Sequence, residues 1–143
     1  MKQAALILFF QLFFCTLVFA QVDDFALARQ FAANGEQQKA FELYQKLYKQ
    51  DNETYFPFYI NTLLALKKFD EAESLTKKLL RKHPAEYRYP ITLGRIYTQQ
   101  GDVDKANQVY DELIKNLPAD AAVINNLASQ FYQAENADYA IRI

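Results

Sequence analysis

Few residues in this chain could do covalent or acid–base chemistry. His83 is the only histidine, and it follows the cations Lys77, Lys78, Arg81 and Lys82. A metal site needs several histidine, cysteine or carboxylate ligands converging, and no paired cysteine or histidine spacing occurs. A histidine-assisted nucleophile would depend on His83 alone. The adjacent carboxylates Asp23-Asp24, Asp70-Glu71 and Asp111-Glu112 read as solvated helix faces. The three glycines form no phosphate-cradling loop, and a formal net charge of −1 provides no basic face for a nucleic acid. The expectation is therefore a non-enzyme without metal or cofactor. The cations at 77–83 suit the negative end of a helix dipole, each contributing about 0.3–1 kcal/mol.

The chain's organisation is clearest from Tyr87 to Pro118. From Ile91, apolar or small residues fall at Leu93, Gly94, Ile96 and Tyr97, a helical stripe. Gly101 can take the left-handed conformation that ends a helix, and Asp102 can accept from the free N–H groups opening the next. Val103, Ala106, Val109, Tyr110, Leu113 and Ile114 form the second stripe, which Pro118 closes. Gly94 and Ala106 are expected where the two helices approach most closely, with Leu93, Tyr97, Tyr110 and Leu113 filling the space around them.

This hairpin recurs. Ala40, Ala72, Ala106 and Ala140 are 32, 34 and 34 residues apart. Nine residues before each stand Phe31, Leu63, Tyr97 and Phe131, and twelve before stand Ala28, Ile60, Gly94 and Ala128. Four residues after the first three come Tyr44, Thr76 and Tyr110, and seven after come Leu47, Leu79 and Leu113. On these residues the chain resembles the tetratricopeptide-repeat family, whose period is about 34 residues. The resemblance runs over 21–143, with repeats at about 21–52, 53–86, 87–120 and an incomplete 121–143. It implies an all-α fold, antiparallel helix pairs stacked as a right-handed superhelix of about three and a half repeats. The second repeat departs from the pattern, carrying Ile60 where a small residue is usual and Thr76 where a large aromatic is usual.

The aromatics Tyr55, Phe56, Phe58 and Tyr59 surround Pro57, which suggests a helix starting at or just before that proline. The cluster reads as packing between the first two repeats, or alternatively as a partner-binding patch. Asp138 to Ile143 begins an eighth helix with an unfinished apolar face. A fragment of a longer protein, or an end covered by a partner, is expected there.

In the family, the first helices of successive repeats line a groove that holds peptides or proteins. The resemblance places Phe25, Arg29, Asn61, Arg88, Arg95, Thr98, Asn125, Ser129 and Tyr132 toward that groove. Arginine pairs with carboxylates through two bonds at once, and asparagine can hold a peptide backbone. An extended, acidic or C-terminal protein segment is the expected partner. Phe25 stands where the family's chaperone-binding carboxylate clamp carries lysine, so that assignment does not transfer.

Met1 to Ala20 has one positive residue, Lys2, an apolar run from Ala4, and Val18-Phe19-Ala20 before Gln21. This is the pattern of a secretory signal peptide. The run is at the short edge of the ~17–25 residues that span a bilayer. Cleavage would remove Cys15, the only cysteine, and would leave no membrane span. The expectation is an exported scaffold, periplasmic or envelope-associated. The alternatives are a structural component of a cell-envelope assembly, or an accessory domain of a longer enzyme.

Overall fold

All regular secondary structure is α-helical among the residues that the computed structural model describes, 24–134 and 136–142. The signal-peptide expectation for Met1–Ala20 lies outside them. The helices are α1 (24–33), α2 (Gln37–Gln50), α3 (Asn52–Ala65), α4 (Phe69–Lys82), α5 (Arg88–Gln100), α6 (Val103–Lys115), α7 (Ala121–Gln133) and α8 (Ala137–Arg142). The chain divides after Leu66 into two compact units. That division falls inside the second repeat, the one whose sequence departs from the pattern.

The turns within repeats share one hydrogen-bonding device. The Glu36 N–H donates to the Phe31 carbonyl (2.8 Å), Asp102 to Tyr97 (2.9 Å) and Asn136 to Phe131 (2.9 Å). Each bond closes the end of one helix, and in the first two a left-handed residue stands just before the donor. Gly35 (φ 79°) and Gly101 (φ 91°) supply it without steric cost. The second repeat has Lys67 at the equivalent place, with φ 56°. A side chain in that conformation costs about 1–2 kcal/mol, so the repeat that lacks its glycine carries local strain.

Aspartates open three of the helices. Asp51 accepts from the Glu53 and Thr54 N–H groups, Asp102 from Lys105 and Asp120 from Ala122 and Val123. Asp51 explains a correction to the expected start of α3. The helix begins at Asn52, not at Pro57, because the carboxylate satisfies the orphan donors five residues earlier. Pro57 then lies inside α3 and is exposed.

In the first unit, α2 packs against α3. Ala28, Ala40 and Leu47 are fully buried there, and the Lys46 ammonium donates to Asp24 at 2.6 Å to tie α2 to α1. In the second unit α4 packs on α5, α5 on α6, α7 on α8, and α5 touches α7. Its core joins Ile91, Leu93, Tyr97, Ala106, Tyr110, Leu127, Phe131 and Tyr139. The small residues sit at the tight approaches, with one change of partner. Gly94 faces the ring of Tyr110: a methyl group built on Gly94 would overlap Cε1 and Cζ and lie 2.8 Å from Cδ1. Thr76, where the neighbouring repeats carry tyrosine, is buried with its hydroxyl donating to the Ala72 carbonyl at 2.8 Å. That bond satisfies a polar group the core could not otherwise accept.

Candidate protein-interaction surface

The nine residues expected to line a groove divide between the units. In the first unit, Phe25 and Arg29 lie on α1 and Asn61 on α3. Arg29 and Asn61 are exposed, while Phe25 is half-buried. The Phe25 ring meets Phe58 at 4.9 Å, Tyr55 at 5.5 Å and Tyr44 at 6.2 Å, all edge-on. Such edge-to-face pairs add about 0.5–1.5 kcal/mol beyond burial, so Phe25 is committed to packing between α1, α2 and α3. The same contacts assign the α3 aromatics a packing role. Arg29 places its guanidinium 5.9 Å from the Phe25 ring centroid.

In the second unit, Arg88, Arg95 and Thr98 lie on α5, and Asn125, Ser129 and Tyr132 on α7. α5 and α7 are in contact. Arg88 is already engaged: it donates to the Tyr89 hydroxyl at 3.0 Å, lies 4.9 Å from that ring's centroid and pairs with Glu86 at 3.7 Å. Arg95 is half-buried, and its charge works against the rise that burial imposes on the Tyr110 hydroxyl's pKa. Thr98 donates to the Gly94 carbonyl and Ser129 to the Asn125 carbonyl, both at 3.0 Å. Tyr132 is 74% exposed, a large aromatic presented to solvent on α7.

Two polar arrangements in the second unit escaped the sequence. The Tyr97 hydroxyl and the Lys77 ammonium both donate to Glu73 Oε1, at 3.0 and 2.6 Å. Lys77 and Lys105 stand 5.9 and 5.6 Å from the Tyr97 ring centroid. The Lys77 hydrogen bond is the main reason the Glu73 carboxyl is held below its ordinary range. Further along, the Tyr139 hydroxyl lies 3.1 Å from both Asn107 and Asp111, and Arg142 donates to Asp111 at 2.8 Å. Each set spans a repeat boundary, so aligning equivalent positions across repeats was the signal that could have found it. Tyr139 adds a residue that the repeat ladder does not single out, beside Ala140, which packs against the same core. Tyr139 is the buried residue of α8, whereas Ala140 is half-buried. The aromatic stack on Tyr110 and Phe131 draws the larger side chain inward.

Among the described residues no group of three or more His, Cys, Asp or Glu side chains could hold a metal ion, and no helix is long and apolar enough to cross a membrane.

Paired helices, left-handed turn residues at 35, 67 and 101 and a glycine under the Tyr110 ring define a tetratricopeptide-repeat fold. The family description "Tetratricopeptide repeat" matches residues 63–131. Among solved structures, "MamA MSR-1 C2" superposes with a TM-score of 0.50 at 17% identity, over 83% of this chain and 70% of that one. The likeness is one of fold. No curated protein matches the chain.

Proposed function

We propose that the protein is an exported scaffold that holds an extended, acidic segment of a protein partner. The observation that supports this reading is the contact between α5 and α7, whose residues bring the needed chemistry. α5 carries the half-buried Arg95 and the exposed Thr98, and α7 carries the exposed Asn125, Ser129 and Tyr132. Arg95 supplies charge-assisted bonds to a carboxylate, Asn125 can take a backbone amide pair, and Tyr132 offers a flat apolar surface. Preformed helices would bind without ordering themselves, which keeps the entropic cost of association low. Arg29 and Asn61 carry the same chemistry in the first unit.

Arg95→Glu is expected to lower partner capture from an envelope extract at least tenfold, since a charged hydrogen bond contributes about 1.5–3 kcal/mol. Arg29→Glu tests the first unit in the same assay. Unchanged capture by both variants would refute the acidic-segment reading.

Export rests on the pattern of Met1–Ala20. N-terminal sequencing of the protein recovered from the periplasm should begin at Gln21. Recovery of the intact leader in the cytosol would remove export from the reading. Ile141, 84% exposed on α8, favours a second reading, a structural envelope component that docks through that helix. Capture lost with Ile141→Asp but kept with Arg95→Glu would select it.

A further inference from the structure

A second surface of the second unit has a different chemistry. The C-terminal end of α4, the loop to α5 and the outer side of α6 enclose a cleft of about 370 Å³. That volume is within the range of ligand pockets, about 300–1,000 Å³. Leu80, Leu93 and Leu113 belong to its lining, continuous with the core, and Tyr87 and Val109 add to its apolar wall. The one ionised side chain in the lining is Glu112. Its carboxylate has no ion-pair or hydrogen-bond partner among the described residues; only its backbone carbonyl is used, accepting from Asn116. The last carbonyls of α6, which ends at Lys115 with Asn116 as its cap, add partial negative charge at the same mouth. Arg81, Lys82 and Lys115 lie on these helix ends but are not part of the lining.

We propose that this cleft docks a protein segment that carries a large apolar side chain close to a lysine or arginine. The apolar group fills the space over the leucines, and the cation pairs with Glu112. An acidic segment of the kind assigned to α5 and α7 is repelled here, and the two surfaces share no named residue. Each can therefore fail without the other.

The test pans a random dodecamer phage library on the full chain and re-screens the selected clones against Glu112→Lys and Arg95→Glu. Glu112 is exposed, so its substitution leaves the fold intact, which circular dichroism confirms. The expected result is a class of clones that loses at least tenfold in affinity with Glu112→Lys but not with Arg95→Glu. These clones pair a leucine or aromatic residue with a cation within four positions. As synthetic peptides they shift the methyl resonances of Leu80, Val109 and Leu113. The proposal is overturned if no clone is sensitive to Glu112→Lys, or if the sensitive clones shift none of those methyls.

Discussion

Replacing Gly94 with alanine is expected to destabilise the protein by about 1 kcal/mol net, although alanine is the better helix former. The intrinsic gain at a helix interior is about 1 kcal/mol. Against it stands the Tyr110 ring, which the new methyl group would overlap. Tyr110 cannot swing clear. It is buried, and Phe131 and Tyr139 hold it with ring centroids 5.1 and 4.7 Å away. Forcing extra volume into such a site typically costs about 1–3 kcal/mol, sometimes more. Urea denaturation should show a lower midpoint at an unchanged slope. The decisive comparison uses a Tyr110→Ala background. With the ring gone, the same glycine replacement should become stabilising by about 1 kcal/mol, a reversal of sign. If Gly94→Ala stabilises the protein that still has Tyr110, helix contact through that glycine is not what sets the repeat.

The contrast between Gly94 and Phe25 shows which features sequence can expose. Gly94 was legible because its role is local to a repeated hairpin, and repetition turns one weak glycine signal into a ladder of equivalent positions. The turn glycines were legible for the same reason, and Lys67 stands out only because the ladder says where a glycine should be. Phe25 was misleading. Its place in the repeat suggests an outward-facing residue, yet three neighbouring aromatics draw its ring into packing. The start of α3 depended on whether one aspartate reaches two backbone N–H groups, which periodicity does not encode. In α8, the burial of Tyr139 depends on the rings of Tyr110 on α6 and Phe131 on α7, which the repeat spacing does not encode. For α5 and α7 the sequence offers only residue types suited to binding. What spacing could not supply is that Arg88 is already spent on Tyr89 and Glu86.

Phe131→Ala is expected to cost about 3–5 kcal/mol, the range for emptying a buried aromatic site, and to do so unevenly along the chain. Phe131 is fully buried, meets Tyr110 edge-on at 5.1 Å and stacks on Tyr139 at 5.6 Å. It thus joins α6, α7 and α8 through one side chain. In a repeat array each pair leans only on its neighbours, so the loss should stay near the site. Native-state hydrogen exchange is the suitable measurement, since it reads opening helix by helix. Amides of α7 and α8 should exchange at least about a hundredfold faster, because each 1.4 kcal/mol is a factor of ten. Those of α4, which packs on α5, should change far less. Tyr139→Phe provides the scale: losing its hydroxyl contacts to Asn107 and Asp111 should cost only about 0.5–1.5 kcal/mol, confined to α8. Equal acceleration from α4 through α8 would mean that the second unit opens as one cooperative body, and nearest-neighbour stacking would then be the wrong account of its stability.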